Sequence, residues 1–390
     1  MLNAKYMNLR NYTTVKERRK ALEKDVNVRL KHIGSFTLDE DIASSCNCEN
    51  MIGAAQIPLG AAGPLHIHHS SFGIQHYYIP LATTEGALVA SVNRGCKAIT
   101  ESGGATTASY RIGTTRGPVF HTDSFEQNQK LYEFLDKNLV FLQSVAAETS
   151  GHLKLTGLMS RAIGRYQFVR FVFDTQDAMG MNMVTIATDA LVSHIEEKTG
   201  ATCTSLSGNF CVDKKPAWQN AIRGRGIEVW AEVTIPASVL AQTLKSTAKA
   251  VFDTWLAKCM VGSAVSGSMG FNAQFANVVA ALFLATGQDP AHVVEGSLGI
   301  TTCEVIGEDL YISVYLPDLM VGTVGGGTGL ATQKEALELL GVYGGNNGKN
   351  SQRFAEIVGA AVLAGEISLL SSLEEGSLAK AHQTLARGKR

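Results

Sequence analysis

Residues 166–173 read Tyr-Gln-Phe-Val-Arg-Phe-Val-Phe, a near-alternating run of aromatic and β-branched side chains that predicts a strand. Downstream the pattern changes. Cys259 to Gln288 contains no Asp, Glu, Lys or Arg, which predicts a helix buried on most sides. Gln333-Lys-Glu-Ala-Leu-Glu-Leu-Leu340 has helical spacing, and glycine-rich turns separate long apolar helices across 51–114 and 216–390. Residues 1–50 read as charged and helical, a small N-terminal unit. Strand-like runs concentrate in about 115–206. Periodicity alone therefore supports an α+β fold with the order of its elements undecided.

Composition narrows the class. The chain has 390 residues, 45% of them hydrophobic and 18% charged, enough for two or three structural units around a large core. A formal net charge of −1 offers no electrostatic reason for nucleic acid or an anionic membrane as partner. Seven cysteines (46, 48, 96, 203, 211, 259 and 303) are scattered and odd in number, as expected of reduced thiols in a cytoplasmic protein. Cys46-Asn-Cys48 lacks a second ligand pair, so no metal is expected. Met1 to Asp25 is polar, without the apolar core of a signal peptide, and the best membrane candidate, Ala276 to Thr286, is too short.

Four islands carry chemistry. In Asn209-Phe-Cys-Val-Asp-Lys-Lys-Pro-Ala217 three charges crowd against a proline, which reads as an anion grip or as a solvated turn. In Pro80-Leu-Ala-Thr-Thr-Glu-Gly-Ala-Leu-Val-Ala-Ser91 one carboxylate, Glu85, precedes an apolar run. Desolvated there, it would serve as a general acid; otherwise it is a first-turn glutamate on a helix dipole. Asp289, in Gly287-Gln-Asp-Pro290, is the first charge after the uncharged run, and Asp before Pro is also common in loops. Val321-Gly-Thr-Val-Gly-Gly-Gly-Thr-Gly-Leu330 lets backbone approach a ligand closely, or makes a tight turn. Neither G-x-G-x-x-G nor a P-loop occurs, which argues against a common Rossmann dehydrogenase.

Taken in order, these segments resemble 3-hydroxy-3-methylglutaryl-coenzyme A (HMG-CoA) reductase. The motifs are Glu49-Asn-Met-Ile-Gly53, Pro80 to Lys97, Asp177-Ala-Met-Gly-Met-Asn-Met183, Asp213-Lys-Lys215, Gly287-Gln-Asp289 and Gly322-Thr-Val-Gly-Gly-Gly-Thr328, spread from about Glu49 to His382. The resemblance implies a large helical substrate-binding domain (51–114 and 216–390) around a buried central helix. Into it would be inserted a ferredoxin-like dinucleotide-binding domain (115–206), with a catalytic loop at 207–215 and a C-terminal flap at 374–390. It implies reduction of HMG-CoA to mevalonate and coenzyme A in two hydride steps. In that reading Lys214 stabilises the oxyanion, Glu85 delivers a proton, Asp289 lies between them, and His382 protonates the departing thiolate. Arg116, Ser207, Asp213, Lys215 and Asn277 would bind substrate. Asp177, Met179, Gly180, Met181, Asn182, Gly325 and Gly326 would bind the cofactor.

The same resemblance implies a homodimer or higher homo-oligomer with active sites between subunits, soluble and prokaryotic in type, without the membrane anchor of animal and fungal relatives or a phosphorylatable serine after the flap histidine. The Asp-Lys-Lys and Met-Gly-Met-Asn-Met forms are class I-like, for which NADPH is expected. Where relatives that favour NADPH carry Ser-Arg, however, this chain reads Ser150-Gly151-His152, so NADH stays open as an alternative. Two other readings compete: an idle CoA-thioester-binding protein, and a reductase of a related acyl-CoA.

Overall fold

The computed structural model describes residues 8–375. Ten strands form its sheet framework: β1 (Leu59–His69), β2 (Gly73–Ala82), β3 (Ala105–Arg116), β4 (Val119–His121), β5 (Lys154–Ile163), β6 (Tyr166–Asp174), β7 (Thr202–Ser205), β8 (Arg225–Ile235), β9 (Ile300–Ile306) and β10 (Asp309–Leu319). The strand expected at 166–173 is β6. The order is β7-β4-β6-β3-β8-β10-β9, with β1 pairing β2 and β3, and β5 pairing β6.

One long strand joins two packing units. Thr106 to Gly113 of β3 pair antiparallel with β8, whereas Thr114, Thr115 and Arg116 pair with Phe173, Val172 and Phe171 of β6, respectively. At the handover Gly113 has φ +116°, and a Cβ there would lie 2.6 Å from the Phe173 carbonyl oxygen, so only glycine fits without moving backbone. On the β6 side, Phe120, Leu131, Leu155, Phe171, Phe173, Leu191 and Ile195 close one core. Its strands run β7-β4-β6-β5, and the helices Phe125–Lys137, Leu139–Thr149 and Met181–Thr199 fall between β4 and β5 and between β6 and β7.

The larger core surrounds the helix Lys349–Glu375, whose Phe354, Ile357, Val358, Leu363 and Ile367 are fully buried against β8, β10 and the helix Leu88–Glu101. This helix is long and apolar enough to cross a membrane by length and composition, yet 94% of its most apolar window is buried inside the protein. Two carboxylates break its apolar run, and both are used. Glu356 meets His69 Nδ1 at 2.7 Å and accepts the hydroxyls of Thr107 and Ser109. Glu366 accepts the amides of Ala273 and Gln274 and the Thr301 hydroxyl.

The uncharged run 259–288 corrects the sequence expectation of one helix. Regular buried helix covers only Phe275–Thr286, because the chain turns at Gly267 and runs irregularly to Gln274, where Glu366 collects its free amides. The helix expected at 333–340 is present as Ala331–Leu339. The expected N-terminal helices are Val15–Val26, with a Thr14/Glu17 capping box, and Glu40–Cys46. Their buried Val15 and Ala43 pack with Met51.

Candidate active site

Lys214 and Asp289 meet. The Lys214 ammonium stands 2.6 Å from Asp289 Oδ2. Lys214 sits in a left-handed backbone conformation, φ +57°, and its N–H donates to Glu295 Oε1 at 2.9 Å. Asp289 caps the turn Pro290–His292 by accepting from the Ala291 amide, as Asp before Pro at a helix start commonly does. Partial burial opposes ionisation of Asp289, but the hydrogen bond from Lys214 and the Ala291 amide outweigh it and hold the carboxyl below its ordinary range.

Beneath this pair lies a cluster of buried charge. The Arg225 guanidinium, at the start of β8 and fully buried, donates to Asp213 Oδ1 at 2.8 Å, Glu295 Oε1 at 2.7 Å and the Thr115 hydroxyl at 2.8 Å. His292 Nε2 lies 2.9 Å from the same Asp213 oxygen. Burial works against the Asp213 anion, yet the His292 hydrogen bond and the Arg225 charge prevail and hold it well below the usual carboxylate range. Glu295 and Asp318 go the other way, both pushed up by burial. Asp213, His292 and Glu295 offer ligand atoms within 4.8 Å of one another, a spacing that suits a metal. Arg225 already supplies the cation between the two carboxylates, and a divalent ion there would face a guanidinium at contact distance.

The other expected substrate residues converge on this loop in part. Gly117 accepts the Gly208 amide at 2.6 Å, and the Thr115 hydroxyl donates to the Cys211 carbonyl, so the end of β3 that carries Arg116 lies against the 207–213 loop. Arg116 Nε is buried without a hydrogen-bond partner among the described residues, a donor suited to an anion. Ser207 Oγ lies 3.8 Å from Cys211 Sγ, and Lys215 is exposed with its Nζ on the Asp213 carbonyl.

Glu85 stands elsewhere. It is exposed in the single chain, without the desolvation that the general-acid reading requires, and its carboxylate accepts from Asn277 at 3.4 Å. Both line a cavity of about 1060 Å³ with Lys258, Ser91, Pro216 and Asn272. His382 lies outside the described residues.

The expected cofactor segments adjoin each other. Ala178 bridges Val324, and the Thr323 amide donates to the Asp177 carbonyl. The Gln288 side chain pairs with both backbone groups of Gly322, and Gly287 packs backbone to backbone on Gly327. The Asp289 turn, the glycine loop and the Met-Gly segment thus form one contiguous surface. Gly180 opens the helix Met181–Thr199 with no side-chain cap, leaving its first amides for a ligand, while a Cβ at Gly325 or Gly326 would meet nothing within 4 Å. Asn182 is exposed at that helix start, whereas Met179, whose carbonyl accepts from Thr114, and Met181, whose sulfur lies 3.2 Å from Arg225 Nη2, face the protein.

Asp177 has a different use from the one expected. Its carboxylate is buried and accepts the amides of Asn346, Gly348 and Ser351, so it caps the start of the central helix. Sequence reasoning also missed Arg225, His292, Glu295 and Lys258. Arg225 alone carried a signal, a single cation between Gly224 and Gly226 at the head of an apolar strand.

Comparison with known proteins follows the same lines. The hydroxymethylglutaryl-coenzyme A reductase family model matches residues 14–387. The 3-hydroxy-3-methylglutaryl-coenzyme A reductase of Methanocaldococcus jannaschii is 52% identical over 376 residues, covering 95% of this chain and 92% of that protein. That of Methanothermobacter thermautotrophicus is 49% identical over 375 residues, covering 96% and 94%. Among solved structures, the class II 3-hydroxy-3-methylglutaryl-CoA reductase from Streptococcus pneumoniae bound to NADPH in open conformations superposes with a TM-score of 0.69 at 18% identity, covering 94% of this chain and 98% of that one.

Proposed function

The chain belongs to the hydroxymethylglutaryl-coenzyme A reductase family, and from that premise we propose that it reduces HMG-CoA to mevalonate and coenzyme A at the surface where Lys214 meets Asp289. The observation that carries this reading is the 2.6 Å ammonium–carboxylate contact, set beside two glycine-built segments open to a ligand. No observation favours the idle thioester-binding alternative, and the contact between Lys214 and Asp289, two of the four groups assigned to chemistry, supports the reductase reading.

A reduced nicotinamide dinucleotide supplies the hydride. Asn182, the uncapped amides of the Met181 helix and the open backbone of Gly325 and Gly326 would hold it. When hydride reaches the thioester carbonyl, the oxygen gains charge, and the Lys214 ammonium is placed to balance it. The resulting hemithioacetal releases coenzyme A as a thiolate, which takes up a proton, and leaves an aldehyde. A second hydride and a second proton convert the aldehyde to the alcohol, so two hydrides and two protons enter per substrate. Asp289 orients the ammonium that does this twice. Glu85, at the mouth of the neighbouring cavity, is our candidate donor to the substrate oxygen, and His382 the candidate donor to the thiolate. Arg116 and Lys215 fit the free carboxylate of the hydroxymethylglutaryl group, with Ser207, Asp213 and Asn277 on its polar atoms.

Finer points are proposals of the same kind. We assign NADPH ahead of NADH, a class I-like subtype on the complete Asp213-Lys-Lys215 and Asp177–Met183 motifs, a cytoplasmic location, and a homodimer in which a second chain completes the cavity at Glu85. The unit with strand order β7-β4-β6-β5 is our candidate ferredoxin-like dinucleotide domain. The test is loss of reduced-nicotinamide absorbance with purified protein and HMG-CoA, NADPH and NADH in parallel. Two cofactors oxidised per substrate, abolished by Lys214→Ala, is the expected result; no turnover by a folded protein with either cofactor sinks the reading.

A further inference from the structure

Three side chains spaced three apart address one loop. Asp289 opens the turn Pro290–His292, which runs on into Val293–Gly296. At about three residues per turn, positions 289, 292 and 295 share a face. Asp289 takes the Lys214 ammonium, His292 meets Asp213 Oδ1 at 2.9 Å, and Glu295 accepts the Lys214 backbone N–H at 2.9 Å.

That loop is strained. Asn209, Val212 and Lys214 have φ of +62°, +57° and +57°, a region in which a β-branched valine is rare. Left-handed backbone at such residues persists only where the surroundings over-determine it. Here the constraint is visible: Glu295 is fully buried, holds the Lys214 amide and Arg225 through one oxygen, and Arg225 in turn holds Asp213. Around His292 stand Asp213, Glu295 at 3.8 Å and Asp289 at 3.9 Å, with Arg225 bonded to the first two. His292 Nδ1 is buried without a hydrogen-bond partner among the described residues.

We propose that Glu295 and His292 are positioning residues of the reductase reaction, locking the left-handed backbone of Lys214 and the carboxylate of Asp213 so that the ammonium points to where the substrate oxygen develops charge. The inference rests on the reductase reading above. Neither residue need touch substrate. Each acts through the catalytic loop, and a misplacement of about 1 Å there costs on the order of 100-fold in rate.

The experiment uses the full chain with Glu295→Gln, which keeps an oxygen for the Lys214 amide but loses the charge facing Arg225, and His292→Gln, which keeps a donor for Asp213. Each is expected to lower kcat about 10- to 100-fold with KM for HMG-CoA within about threefold, in a protein that melts near wild type. The second readout needs no turnover: limited acetylation with acetic anhydride, followed by peptide mass spectrometry of Lys214 relative to Lys215. Release of the ammonium is expected to raise that ratio several-fold in both variants. A ratio unchanged from wild type in folded variants overturns the proposal, whatever the kinetics. Wild type inactive on HMG-CoA with the ratio still responding leaves the positioning claim standing and removes the reductase reading. Should Glu295→Gln not fold, His292→Gln decides by the same ratio.

Discussion

Lys214 Nζ lies 2.6 Å from Asp289 Oδ2, with both side chains partly open to solvent, 38% and 29% exposed. A partly exposed ion pair contributes about 0–1 kcal/mol to folding, so this contact matters for where it aims a charge more than for stability. Lys214→Ala is expected to cut kcat by about 10²–10³-fold, the loss typical of removing one preorganised oxyanion partner. Steady-state kinetics beside a thermal melt checks this; a melting temperature that falls along with the rate would reassign the pair to folding.

Gly287 and Gly327 touch through backbone, and Gly287 has φ +70°. A Cβ at Gly287 would lie 2.3 Å from the Gly327 carbonyl oxygen, which cannot swing away as a side chain would. Gly287→Ala is expected to cost about 1–3 kcal/mol and to lower turnover by displacing the Asp289 turn from Lys214. Denaturant unfolding and kcat, measured on the same sample, should both move.

Asp177 caps the central helix with three amides. Asp177→Ala leaves these donors partly buried and unpaired, with an expected destabilisation of about 2–4 kcal/mol. Asp177→Asn, which keeps one acceptor oxygen, should cost less. Chemical denaturation ranks the two, and equal losses would show that the carboxylate pairing is not what matters.

Asp318 is fully buried in β10, neither oxygen has a hydrogen-bond partner among the described residues, and burial raises its pKa well above the ordinary 3.8. The sign follows from linkage. Above the ordinary value the unfolded carboxyl gives up a proton that the native one keeps, so stability falls as pH rises through that window. Asp213 is depressed instead, and its contribution is present above the ordinary value and lost as pH falls toward its native one. Asp318→Asn removes the first slope. Its melting temperature, relative to wild type, should therefore climb as pH is raised from about 4 to about 8, and a difference flat in pH would refute the assignment.

Gly151 has open space around it, with nothing within 4 Å of a Cβ built there. Gly151→Arg should therefore be accommodated without strain and add a guanidinium for a 2′-phosphate. The expected change is about a tenfold rise in the NADPH to NADH ratio of kcat/KM, on the order of the 1.4 kcal/mol that one charge-assisted hydrogen bond supplies. An unchanged ratio would place the 2′-phosphate away from this turn.

What the sequence determined by itself is what local chemistry determines. The strand at 166–173 follows from its own aromatic and β-branched side chains, and the helix at 331–339 from its own spacing. Lys214 was legible because it sits in a cluster of three charges against a proline, Asp289 because it is the first charge after an uncharged run, and their motifs follow the order of a known family. Tertiary structure decided the rest. Whether the uncharged run 259–288 formed one helix depended on Glu366, far along the chain, collecting the amides of Ala273 and Gln274. That Asp177 caps a helix depended on where Ser351 arrives. Arg225 carried only the faint signal of a cation between two glycines, and His292 and Glu295 carry none, because buried charges are chosen by their partners, and the partners meet only once β8 and the Asp289 turn pack around the 213–214 loop.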